Sequence, residues 1–156
     1  PSIAKATACC LPCRDGFDRV VEALAHRDES EKRDLIFSLS YFQSQKTLDW
    51  IEANIFSPIT EEWGRLAAAS KFDWPRATKW LDSGRPLGLA ALDALAAIIR
   101  PQSPLLRAYA PRLDQPPDVG TMTTALAAYA ECDSVPRVTR ITKFILENAA
   151  VLTKGG

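Results

Sequence analysis

The chain has 156 residues, 47% of them hydrophobic, with nineteen basic and nineteen acidic side chains and one histidine. That length suits one domain able to bury a core without help from metal or disulfides. Balanced charge leaves no electrostatic footprint for nucleic acid or an anionic membrane, and no apolar run is long enough to span a bilayer.

Residues 1–14 hold Cys9, Cys10 and Cys13 between prolines, with no helical period, and predict a cysteine-containing flexible arm. The apolar run from Ala6 to Pro12 is too weak for a signal peptide, and a start at Pro1 instead of Met fits a chain whose native N-terminus is missing. Cys132 stands alone, far from the other three. This spacing is not a secreted disulfide framework and fits a reducing, cytoplasmic setting.

From about Asp15 to His26 the apolar residues Phe17, Val20, Val21 and Leu24 recur at helical spacing and form one stripe. Asp28, three residues before Glu31, predicts a capping box opening a second helix that runs to about Phe42 on Leu35, Ile36, Leu39 and Phe42. Ser44 predicts the cap of a third helix through about Ile55, carrying Leu48 and Ile51 with Trp50 beside them. Ser57-Pro58 signals a fourth helix, with Glu61 and Glu62 in its first turn and Ile59, Trp63, Leu66 and Ala67 on its stripe.

Asp73 and Pro75 predict the start of a fifth helix, which buries Trp74, Ala77, Trp80 and Leu81 and ends at Gly84, a residue free to take positive φ. Pro86 opens a sixth, whose stripe is Leu89, Leu92, Leu95, Ala96 and Ile99. Prolines 101, 104 and 111 leave room for only a short helix over Leu105–Tyr109. After Pro116-Pro117, Asp118 predicts the cap of a helix to about Glu131 that buries Met122, Leu126 and Tyr129. Asp133 or Ser134 begins the last helix, with Pro136 in its first turn and Val138, Ile141, Ile145, Ala149 and Leu152 on its stripe. Phe144, Leu146 and Val151 lie off that stripe, an extra apolar face that fits a homodimer.

Trp50-Ile51-Glu52 returns thirty residues on as Trp80-Leu81-Asp82, and Trp63, Leu66, Ala67 and Ala68 return twenty-nine on as Leu92, Leu95, Ala96 and Ala97. A period near thirty built from two helical pieces predicts stacked helical pairs. The run Ala90-Ala91-Leu92-Asp93-Ala94-Leu95-Ala96-Ala97-Ile98 resembles the second helix of HEAT-type repeats. The resemblance implies an all-α, right-handed stack of antiparallel helix pairs, a HEAT-like α-solenoid of about eight or nine helices over residues 15–152, with 153–156 as a frayed tail. It also implies an interaction scaffold that binds a protein or peptide on its concave face. A further expectation from the same resemblance is a nucleic-acid-binding or DNA glycosylase-type module, against which the neutral charge argues.

The candidate contact residues are Glu62, Arg65 and Asp93 on second helices, together with Trp74, which has no equivalent in the repeat. Asp93 interrupts an apolar helix. If buried it requires a cationic partner, for which Arg65, Arg85 and Arg100 are at hand. Arg137, Arg140 and Lys143 form a basic ridge that Glu147 partly cancels. The single histidine, His26, ends the first helix with no nucleophile suggested beside it, so no catalytic constellation and no cofactor are expected. The Cys9-Cys10-Cys13 cluster raises the alternative of a thiol- or metal-dependent regulator. It lacks the second ligand pair that tetrahedral zinc sites use, so no metal ligand set is assigned.

Overall fold

The computed structural model describes residues 13–42, 44–57, 60, 67–69, 71–101 and 112–153, and all the regular structure among them is helical. Eight α-helices are bounded there: α1 (Cys13–His26), α2 (Glu29–Ser38), α3 (Gln45–Asn54), α4 (Trp74–Ser83), α5 (Leu87–Ile99), α6 (Val119–Cys132), α7 (Pro136–Glu147) and α8 (Ala149–Leu152). A 3-10 turn, Leu39–Phe42, follows α2. Thr60 and Ala67–Ala69 are also helical, within the span expected for the fourth helix; Trp63 and Leu66 lie outside the described residues.

Helix starts follow the capping signals. Asp28, Ser44, Asp73 and Asp118 each accept a hydrogen bond from a backbone N–H in the first turn of the helix they precede. At the Asp28 cap the aspartate accepts from the Glu31 N–H at 3.1 Å, and the Glu31 carboxylate accepts from Arg27 Nη1 at 3.3 Å. Pro75 and Pro136 occupy first-turn positions where no N–H is needed.

Four boundaries differ from the sequence expectation. The first helix begins at Cys13, two residues early. The second tightens to 3-10 geometry after Ser38, where the buried Thr47 hydroxyl takes up the Leu39 carbonyl (3.0 Å) and the chain turns into α3. Neither Asp133 nor Ser134 caps α7. Asp133 closes α6, Val135 precedes α7, and the last helix breaks at Asn148 into α7 and α8.

Helix α5 lies at the centre of the C-terminal half, packed most extensively on α4 and α7 and also against α8. Its burial is wider than one stripe. Gly88, Ala90, Ala91, Leu92, Ala94, Leu95, Ala97 and Ile98 are buried, while Leu89, Ala96 and Ile99 are only partly so. An apolar helix enclosed on several sides has no single face, and its alanines let the neighbouring helices approach.

Side-chain links fix how neighbouring helices run. Along α3 and α4, Gln45 Nε2 reaches the Lys71 carbonyl, Asp49 meets Arg76, and Glu52 meets Arg76, Lys79 and Trp80. Residue numbers rise together, so these helices run in the same direction. Helices α4 and α6 do likewise. A parallel backbone bridge joins Asp73 to Asp114 just before them, and Arg85 meets Asp133 just after them. On α5 and α7, Asp93 pairs with Arg137 and Arg100 lies over the Phe144 ring at 5.1 Å, again in rising order.

The core contains Ile36, Leu39, Leu48, Ile51, Ile55, Phe72, Trp80, Leu92, Leu95, Met122 and Leu126 with their surfaces withdrawn from water. Each such aliphatic side chain contributes about 2 kcal/mol of transfer free energy before entropy is counted. Phe72 and Trp80 pack with ring centroids 5.2 Å apart, and Phe17 meets Phe42 edge-on at 5.6 Å. Among the described residues no helix is long and apolar enough to cross a membrane.

Candidate functional site

Among the described residues an open cleft of about 640 Å³ lies between α4 and α6. Helix α4 lines it with Thr78, Leu81, Asp82 and the turn residue Arg85; α6 lines it with Ala125, Ala128, Tyr129 and Cys132. Both sets follow the i, i+3, i+4, i+7 spacing, so each helix offers one whole stripe to the cleft. The small Ala125 and Ala128 leave the space that larger residues would fill.

The cleft is closed at one end by a polar cluster. Gly84 takes φ 72° and turns the chain out of α4. Arg85 follows and grips Asp133 with two bonds of 2.6 Å, Nε to one carboxylate oxygen and Nη2 to the other. The Tyr129 hydroxyl donates to Asp133 Oδ2 at 2.9 Å. Hydrogen bonding by Arg85 holds the Asp133 carboxyl below the usual carboxylate range against its desolvation, and Tyr129 adds to the effect. Burial, then its bond to the Asp133 carboxylate, push the Tyr129 phenol up to about 12, so it remains a donor at neutral pH. The tyrosine ring lies hard against α5 at Gly88, where a Cβ would come within 2.4 Å of it.

A second polar cluster joins α3 to α4. Arg76, only 14% exposed at its side chain, donates to Glu52 (2.7 Å), Asp49 (2.7 Å) and Gln45 (3.1 Å). Glu52 also accepts from the Trp80 indole at 2.6 Å and from Lys79 at 3.0 Å. Burial opposes ionisation of Glu52, but these donors outweigh it and hold the carboxyl below its ordinary range. A depressed folded-state pKa stabilises the fold above the unfolded value and loses that contribution as pH falls through the folded one. Acidification below about pH 4 is therefore expected to weaken the fold, and Glu52→Gln is expected to flatten that acid limb. Urea midpoints measured across the acid range for both proteins check this; an unchanged slope for Glu52→Gln contradicts it.

Two of the sequence-selected residues, Trp74 and Asp93, fall among the described residues. Glu62 and Arg65 lie outside the described residues. Trp74, the first residue of α4, is 9% exposed and belongs to the core. Asp93 has a side chain 13% exposed, and Arg137 Nη2 contacts both of its oxygens at 2.9 and 3.1 Å. Arg137 is thereby drawn out of the basic ridge. Of the three partners expected for Asp93, Arg85 is held by Asp133, Arg100 lies over Phe144, and Arg65 is outside the described residues. Neither Trp74 nor Asp93 lines the α4/α6 cleft.

Sequence reasoning missed the cleft. Its one local signal was the shared four-residue stripe on α4 and α6, in which the α6 half is alanine-rich. Cys132 is exposed on the cleft wall, and Cys9 and Cys10 lie outside the described residues. No group of three or more His, Cys, Asp or Glu side chains able to hold a metal ion occurs among the described residues. Comparison of the chain with family models, with curated proteins and with solved structures finds no match.

Proposed function

We propose that this chain is a non-catalytic helical-repeat module that docks a segment of another protein in the cleft between α4 and α6. The observation that carries the reading is the cleft itself: a floor of Leu81, Ala125, Ala128 and the Tyr129 ring beside a rim of fixed hydrogen-bonding groups. Binding sites commonly combine an apolar surface with a few placed polar groups, and hundreds of cubic ångströms suffice for several side chains. The common direction of α3, α4 and α6, with α5 and α7 aligned behind them, supports a stack of helical pairs of the HEAT-like kind. In such a stack the seams between like helices recur as elongated grooves.

This reading places docking on the first-helix side and not on the concave second-helix face. On that face Asp93 is already engaged by Arg137.

Peptide display against the purified protein tests the proposal, with Ala128→Trp as the blocked form. Ala128 is exposed, so the variant is expected to melt close to the parent protein while its indole fills the cleft. Selected peptides are expected to bind the variant at least about tenfold more weakly, a loss of roughly 1.4 kcal/mol. Equal binding to both forms, or no enrichment at all, overturns the proposal.

A further inference from the structure

Resting on the cleft as a docking site, we infer that it selects a segment in which an apolar side chain is followed by a cationic one, lysine or arginine. Three observations converge on this chemistry.

The first is the charge of the lining. Its ionisable carboxylates and guanidinium are Asp82, Arg85 and Asp133. Arg85 and Asp133 neutralise one another through the two-pronged bond, and Tyr129 adds a third donor to Asp133. Asp133 already takes the Nε and Nη2 donors of Arg85 and cancels its charge, which leaves an incoming carboxylate only the Nη1 side of a neutralised pair. Asp82 is exposed and makes no hydrogen bond or ion pair among the described residues, so it carries the net negative charge of the cleft.

The second is the direction of the helices. Ser83 ends α4 and Cys132 ends α6, so both C-termini come to the same end of the cleft. The carbonyl ends of two helices add partial negative charge where Asp82 stands, and a cation is favoured there. The third is adjacency. Asp82 follows Leu81, a floor residue, along α4. A ligand lying along that helix meets apolar surface and carboxylate within one residue's reach.

Two small probes test the inference by amide chemical shifts at low ionic strength: acetyl-Leu-Lys-amide and acetyl-Leu-Glu-amide. Both share the apolar anchor and differ in the sign of the following charge. The lysine probe is expected to shift the amides of Leu81, Asp82, Ala125, Ala128 and Cys132 and to bind about threefold to fivefold more tightly than the glutamate probe, as suits one partly exposed ion pair. In Asp82→Asn the preference is expected to fall to near unity while the anchor shifts remain. Equal binding, or tighter binding of the glutamate probe, overturns the cation selectivity and leaves the docking cleft standing. Shifts from neither probe remove the cleft as a docking site and the inference with it. A preference that survives in Asp82→Asn places the selectivity elsewhere and overturns the role given to Asp82.

Discussion

Trp80→Ala is expected to lower the unfolding free energy by about 4 kcal/mol, the middle of the range for removing a buried aromatic side chain. Trp80 is fully withdrawn from solvent and packs on Phe72 at 5.2 Å. Alanine leaves a cavity bounded by α4 and by residues of the neighbouring helices, which cannot collapse freely because Arg76 and Glu52 pin α3 to α4. It also removes the indole donor from Glu52, although Arg76 and Lys79 still hold that carboxylate. Trp80→Phe separates the two effects. It keeps most of the ring volume and loses the N–H, so a loss of about 1–2 kcal/mol is expected. Urea unfolding with an unchanged slope measures both; a Trp80→Ala loss below about 1.5 kcal/mol shows that the cavity is not rigid.

Gly88→Ala is expected to destabilise by about 2 kcal/mol, opposite in sign to the usual result for glycine within a helix. On propensity alone the change favours the fold by about 1 kcal/mol. Here the new Cβ would stand 2.4 Å from Tyr129 Cε2 and 2.7 Å from its Cζ and hydroxyl oxygen. The ring cannot swing away cheaply, because its hydroxyl is bonded to Asp133 and Asp133 is gripped by Arg85. Overpacking of this kind costs about 1–3 kcal/mol, and more where rotamers are fixed. A double-mutant cycle gives the decisive measurement. Tyr129→Ala should be costly in the parent and nearly neutral beside Gly88→Ala, with a coupling above about 1 kcal/mol. If Gly88→Ala raises the melting temperature instead, the contact with Tyr129 is not the constraint proposed.

The same contact bears on function. Tyr129 is at once the wedge at α5, a donor to Asp133 and part of the cleft floor. A cleft built on a locked ring is preorganised, and binding to it need not order the wall first. Gly88→Ala is therefore expected to disturb the docking of the small probes as well as stability. Asp82→Asn, on an exposed position with no bonded partner among the described residues, should leave the wall intact.

What the sequence determined by itself is local. The starts of α2, α3, α4 and α6 were legible because a capping aspartate or serine acts on N–H groups only two or three residues away. The stripes of α1, α3 and α6 were legible because each of these helices has one buried side, whereas on α7 the off-stripe Phe144 and Leu146 also pack against the core. Most α5 positions are buried, so its stripe was drawn too narrowly. The tertiary structure alone decided the partners. Asp93 had several arginines to choose among, and its contact with Arg137 depends on α7 lying beside α5, forty-four residues further along the chain. Arg85 and Asp133 are forty-eight apart. Trp74, which breaks the repeat and therefore invited a functional reading, is buried once the Phe72–Trp74 segment runs beside Leu113 and Asp114. Local hydrogen bonds are fixed by spacing along the chain. Long-range ion pairs, and the cleft they close, are fixed by which helix ends the packing brings together.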